Sequence, residues 1–196
     1  MLLAPSIVML PQPAMRGARM LKVVAEHGLA PPRGRMLEAA RALAERLMDT
    51  EVASLEVFQD VINIQPTGFL AYCEDGEVTA VTGQLFMRRE AARRLLDGRF
   101  DGVNLDTSLL ARDGEHPAVA YSWGVAAATK EGGKAIFAGS GAMKKAFFPD
   151  VTVFTRAVTG AGRHVALTRY GYRPLRHPDD DILVNEPVAA TQEQAA

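Results

Sequence analysis

The sequence predicts an α/β fold, a mixed central sheet flanked by helices, in one domain spanning residues 35–185. Three observations carry this. Apolar positions recur at three-and-four spacing over Arg35–Met48 and then alternate over Gly68–Phe86, a change from helical to strand period. Asp75-Gly76 sits between two alternating runs, a strong short-range hairpin signal. From Pro117 onward the chain reads strand, glycine-containing loop, helix, strand. A right-handed crossover then makes the strands at 117–128 and 151–155 parallel neighbours.

Composition narrows the class. The chain has 196 residues, a formal net charge of −1, 48% hydrophobic and 23% charged residues, ordinary values for a globular domain that can bury a core. Near-neutral charge removes the electrostatic argument for a nucleic-acid partner. A single cysteine, Cys73, rules out an intrachain disulfide and points to a reducing, cytoplasmic setting. No apolar run approaches the ~20 residues of a membrane span. The apolar first ten residues are interrupted by Pro5 and preceded by no Lys or Arg, which makes a poor signal peptide.

Residues 1–34 hold five prolines and read as an arm or a loosely packed lead-in, with a short helix around Met15–His27 closed by Gly28. Arg35–Met48 places Met36, Leu37, Ala40, Leu43, Ala44 and Leu47 on one stripe. A second helix is expected over Val52–Ile62, ending before Pro66. Strands follow at Gly68–Glu74 and Glu77–Phe86, with Cys73 in the first as a buried, inert thiol. Arg88–Leu96 is expected as a helix whose Arg88, Arg89, Arg93 and Arg94 form a solvated face. Arg99–Glu115 reads as a loop with one helical turn near Thr107–Ala111; with the helix it forms an insertion at 87–115.

Pro117–Ala128 is nearly all apolar or small, as a strand buried on both faces is. Val119, Tyr121, Trp123 and Val125 are expected on one face, and Gly124 suggests a bulge or close backbone contact. A helix is expected over Gly133–Phe148, stopped by Pro149. Val151–Thr155 follows as a strand and Gly162–Tyr170 as a helix capped by Gly171. Short strands at Tyr172–Leu175 and Ile182–Val184 and a disordered tail at 186–196 complete the chain.

The stretch Val125–Ala135, V-A-A-A-T-K-E-G-G-K-A, is the functional candidate. A glycine-containing loop opening a helix presents backbone N–H groups in one direction, a site suited to phosphate. A nucleoside-triphosphate loop at Gly139–Lys144, following a strand at Ala135–Gly139, fits less well, because Gly-Lys followed by Ser or Thr is missing. His27, His116, His164 and His177 show no metal-ligand spacing, and no metal is expected.

These residues resemble the GNAT superfamily of acyl-CoA-dependent N-acyltransferases. In that family a strand-ending Val is followed five residues on by Gln or Arg and then x-x-Gly-x-Gly or Ala. Here Val125 is followed by Lys130, Glu131, Gly132, Gly133, Lys134 and Ala135, with Lys in place of Gln or Arg. Leu167–Tyr172 is similar to the family's later helix end and Gly-Phe. The resemblance covers roughly residues 36–185. It implies a GNAT-like mixed central sheet with an inserted helix-loop before the motif strand. It also implies an acetyl-CoA or other acyl-CoA co-substrate and a small-molecule or peptide amine acceptor. The cofactor residues it implies are Trp123, Val125, Ala126, Lys130, Gly132, Gly133, Lys134, Ala135 and Ile136. The pyrophosphate would meet the N–H groups of Gly132–Ile136 and the pantetheine arm the strand near Trp123–Ala126.

The chain departs from the family pattern. Leu167 stands where a thiolate-protonating tyrosine is usual, Gly160 where Asn is frequent, and Ala126–Ala128 where a polar run is usual. Candidates for acid–base work are His116, Glu115 and Tyr170, with Asp106 and Glu131 as further bases. A GNAT-like domain that senses acyl-CoA or binds a protein without turnover is the alternative reading. The insertion is a candidate cover for the acceptor site, and a homodimer is left open.

Overall fold

The computed structural model describes residues 13–187. The apolar first ten residues and all but the first two residues of the expected disordered tail lie outside them. A seven-stranded sheet forms the middle layer, in the order β1-β2-β3-β4-β5-β7-β6. Its strands are β1 (Leu29–Ala30), β2 (Phe69–Glu74), β3 (Glu77–Met87), β4 (Val119–Ala127), β5 (Val153–Arg156), β6 (Arg173–Pro174) and β7 (Ile182–Asn185). All neighbours are antiparallel except β4 and β5, which pair in parallel as the crossover rule requires. The fold is thus mixed α/β with helices on both faces.

One face carries α1 (Pro13–Ala25) and α5 (Lys130–Phe147), packed through Met20, Val24, Ile136 and Met143 onto Leu70, Ala80, Phe86, Ala120 and Val153. The other carries α2 (Arg35–Met48) and α3 (Leu55–Ile64), packed through Leu37, Ala40, Ala44, Phe58 and Ile62 onto Phe69, Ala71, Val81 and Ala126. On the same side α4 (Arg89–Leu96), a 3-10 turn at Thr107–Leu109 and the strand ends bury Leu95, Phe100, Leu105, Leu109, Tyr121 and Phe154. The last helix, α6 (Gly160–Arg169), is followed by Gly171 with φ 66°, the left-handed conformation expected of a cap. Asp75 and Gly76 both have positive φ, 51° and 83°, as the tight hairpin turn demands.

Two local expectations are corrected and one disfavoured alternative is removed. The arm is not loose: Met20, Val24 and Leu29 are core residues, and β1 pairs with β2. The triphosphate-loop alternative needed a strand at Ala135–Gly139, but the whole stretch is α5. Gly139 does serve close packing, since a Cβ there would stand 2.5 Å from Leu29 Cδ1, whereas Gly141 faces open space. Third, Cys73 is half-buried rather than buried, and that burial pushes its thiol up. The arginines of α4 are a charged surface, as expected. Arg88 pairs with Glu115, Arg93 with Glu90, and Arg94 with Glu90 and Asp106.

Candidate functional site

The site is built by a mismatch between β4 and its neighbours. On one edge β4 pairs with β3 along its length, but the register slips: Ser122 faces Gln84 while Gly124 faces Gly83. Trp123 is the extra residue, so the bulge that Gly124 signals is centred on Trp123. Gly83 makes room for it, because a Cβ there would stand 3.0 Å from Trp123 Cβ. The bulge reverses the strand's phase. Ala126 therefore joins Val119, Tyr121 and Trp123 on the α2/α3 side. Val125, expected on that face, leaves it and is 38% exposed.

On its other edge β4 pairs with β5 only at Ala120–Ser122 against Val153–Thr155. Beyond that the strands part. Ala128 N–H donates to Thr79 O at 2.8 Å. By strand alternation residues 124 and 126 face β3, while the N–H and C=O of Val125 and Ala127 face the gap beside β5. A sheet edge interrupted in its middle offers backbone donors to an extended ligand.

Beside this gap, on the α2/α3 side, lies a cavity of about 150 Å³. Its walls come from the end of α2 (Ala44, Met48), the loop Thr50–Ala53, and Phe58, Phe69 and Val81. Tyr121, Trp123, Gly124, Arg156 and Val158 line the side toward the gap, and Asp101–Val103 of the insertion covers part of it. Trp123 pins that cover, since its Nε1–H donates to Gly102 O at 2.7 Å. Its ring packs on Phe58 at 4.7 Å between centroids. The insertion at 87–115 thus reaches the cavity through three residues. Asp101 is a fixed anion, held low by the Asn104 side-chain amide and by the Asn104 and Val103 N–H groups. Arg156 is occupied by Asp181 at 3.0 Å. The Tyr121 hydroxyl is pushed up to about 12, mainly by burial and against a backbone hydrogen bond from Arg156 that lowers it, so Tyr121 stands in the wall as a neutral phenol.

The residues predicted to hold a pyrophosphate are placed differently. Thr129 caps α5, so the helix starts at Lys130, three residues earlier than expected. Gly132 N–H donates to Thr129 Oγ1 at 3.1 Å and Gly133 N–H to Thr129 O. Lys134, Ala135 and Ile136 lie in the helical ladder, and the Ile136 side chain is fully buried core. N–H groups at 132–136 are therefore spent within the helix. Those of Lys130 and Glu131 stand ahead of the ladder, as the first donors of any helix do. Gly132 is a packing glycine: a Cβ would stand 2.7 Å from Ala80 Cβ. Lys134 pairs with Glu131 at 3.5 Å, while Lys130 is exposed and has no ion-pair partner among the described residues.

The acid–base candidates are not at the cavity. Glu115 and His116 precede β4, on the order of 20 Å from Trp123 at strand spacing. His116 pairs with Asp150 at 3.3 Å. Glu115 accepts from Arg88 Nε and Nη2 at 2.9 and 2.8 Å and from Arg112 N–H at 3.0 Å. These bonds, Arg88 first, hold its carboxyl at about 2, which makes it a poor base. Because the folded value lies below the unfolded one, Glu115 adds stability above about pH 4.5. That contribution fades as pH falls toward 2. Glu115→Gln should therefore flatten the acid limb of a stability–pH curve measured by urea unfolding; an unchanged limb would refute the assignment. Asp106 caps the 3-10 turn, bonding Ser108 N–H and Oγ–H. Tyr170 ends α6 with its ring stacked on Phe137 at 4.6 Å.

Sequence reasoning missed Tyr121 as a chemical group and the Thr50–Ala53 loop as a wall. Neither has a sequence signal, since the first sits in an apolar strand and the second is a short interhelical connection. Among the described residues no three His, Cys, Asp or Glu side chains converge as metal ligands, and no helix is long and apolar enough to cross a membrane.

No protein-family model matches the chain. No curated protein matches it either. Among solved structures it is similar to a crystal structure described as histone acetyltransferase HPA2 and related acetyltransferase from Corynebacterium glutamicum ATCC 13032. That similarity is at 15% identity and a TM-score of 0.48, over 83% of this chain and 97% of that one.

Proposed function

We propose that the chain binds acyl-CoA and transfers its acetyl or acyl group to an amine, as an N-acyltransferase of the GNAT type. The observation that carries this reading is the parting of β4 from β5 after Ser122, with Val125 and Ala127 offering backbone groups to the gap. The cavity lies on one side of it and the start of α5 on the other. An extended pantetheine arm pairs with such an edge. The N–H groups of Lys130 and Glu131, with the Lys130 ammonium, supply the positive end for a pyrophosphate. Gly132–Ile136 contribute shape rather than donors.

In the transfer step the amine nitrogen attacks the thioester carbonyl carbon. The Val125 N–H stabilises the oxygen as it gains charge. The amine attacks as its free base, its ammonium proton having left to solvent. Nitrogen–carbon bond formation and carbon–sulfur cleavage leave a thiolate, the Tyr121 hydroxyl is the group in the wall able to protonate it, and the proton shed by the amine nitrogen returns to the Tyr121 oxygen. This replaces the roles considered for Glu115, His116 and Tyr170.

Free-thiol release from acetyl-CoA across a panel of amines tests turnover. Stimulation by at least one amine is expected. Binding with no turnover across a broad panel supports the second reading, an acyl-CoA sensor. One observation favours that reading: no histidine lines the cavity.

Gly133→Asp separates binding from stability. A Cβ there would stand 3.7 Å from Ala127 Cβ, over the end of β4, without a clash. The new carboxylate favours the first turn of α5 by up to about 1 kcal/mol. The variant should therefore unfold no more easily than the wild type while losing stabilisation by acetyl-CoA. Retained stabilisation would contradict the placement of the pyrophosphate.

A further inference from the structure

The cavity restricts the acceptor more than the fold does. Its body is aromatic and aliphatic, made by Phe58, Phe69, Trp123, Met48, Val52 and Val81. Phe58 lies 4.4 Å from Phe69 and 4.7 Å from Trp123 between ring centroids, forming a continuous wall. A cavity of this size takes a ligand of about benzene's dimensions. Charge is confined to few groups. Glu51 and Asp101 are carboxylates in the lining, and Arg156, the one cation there, is already paired with Asp181 at 3.0 Å. Glu51 has no ion-pair partner among the described residues and is exposed. The field in the cavity therefore favours a cation, and the ring faces add to that preference. A ligand carboxylate would meet two carboxylates and a guanidinium already engaged.

We infer that the acceptor is a small monoamine with a compact apolar or aromatic body and no carboxylate. A carboxylate-bearing amine is disfavoured by charge, and a long polyamine or a peptide does not fit within the cavity's volume. This rests on the acyl-transfer reading for its chemistry, but the cavity's selectivity is separately measurable.

The test is calorimetry on the full chain with benzylamine, benzyl alcohol, benzoate and a lysine-containing tetrapeptide as probes. Each is titrated alone and with saturating CoA, and acetyl-CoA is titrated in parallel. Benzylamine should bind at least about tenfold more tightly than the alcohol, the acid or the peptide, through its charge and fit. Glu51→Lys should weaken benzylamine by about tenfold or more. Val52→Trp, which fills the cavity from its loop wall, should abolish benzylamine binding. Both variants should leave acetyl-CoA affinity unchanged. Equal or tighter binding of the alcohol, the acid or the peptide overturns the inference. So does the absence of benzylamine binding under both conditions while acetyl-CoA binds. Benzylamine selectivity without any acetyl-CoA binding would uphold the cavity assignment and overturn the acyl-transfer reading instead.

Discussion

Gln65→Leu is expected to destabilise the protein by about 2–5 kcal/mol, because two buried backbone groups lose their partners at once. Gln65 caps α3 and is 7% exposed. Its Nε2 donates to Phe86 O at 2.5 Å and Ala111 O at 2.7 Å, and its Oε1 accepts from Phe86 N–H at 3.0 Å. Phe86 O keeps a second donor in Ala111 N–H, so the groups left unpaired are Phe86 N–H and Ala111 O. Leucine matches the volume and supplies no hydrogen bonds. A drop in melting temperature of roughly 6–15 °C should follow for a domain of this size. Gln65→Glu keeps the acceptor for Phe86 N–H and loses the amide donors to Phe86 O and Ala111 O, so its urea midpoint should also fall. A leucine variant within about 0.5 kcal/mol of wild type would show that this bracket between β3 and the insertion is dispensable.

The second large effect concerns function. Val125→Pro should leave the sheet standing and lower acyl transfer by about a hundredfold or more, the usual consequence of removing one donor aimed at a developing oxyanion. Proline is tolerated where an N–H does not serve the ladder. Strand alternation turns the Val125 N–H away from β3, so only the donor facing the gap is lost. Val125→Ala keeps that N–H and should retain transfer. Full activity in the proline variant, or equal loss in both, would remove Val125 from the mechanism.

Much of the architecture was legible because it follows from local pattern. The bounds Arg35–Met48 match α2, and Leu37, Ala40, Leu43 and Ala44 of its stripe are buried while Met36 and Leu47 at its edges are exposed. Asp75-Gly76 forms the expected turn. The parallel pairing of β4 with β5 follows from connection handedness. Two errors share a physical origin in details smaller than a period. Gly132-Gly133 reads as a loop, yet Thr129 three residues before Gly132 is a good N-cap and its hydroxyl starts the helix at Lys130. Gly124 signals a bulge, but the extra residue is Trp123, and one residue of slip turns Val125 off the expected face. The cavity was legible only in part: the insertion was expected as a cover and Asp101–Val103 line it, but its loop wall carried no signal. It needs the α2–α3 loop, the β4 bulge and Gly102 of the insertion together, contacts that no single stretch encodes. The acid–base candidates near Pro117 lie away from the cavity for the same reason: proximity to β4 in sequence placed them at its far end.

The central claim is that the gap between β4 and β5 holds an acyl-CoA. Thermal unfolding with and without millimolar acetyl-CoA tests it most directly. Ligand at about a hundredfold over its dissociation constant stabilises by about 2.7 kcal/mol, a rise of roughly 5–10 °C for a domain of this size. The account predicts that rise in the wild type and its loss in Gly133→Asp. No rise with millimolar acetyl-CoA or longer acyl-CoAs would contradict it.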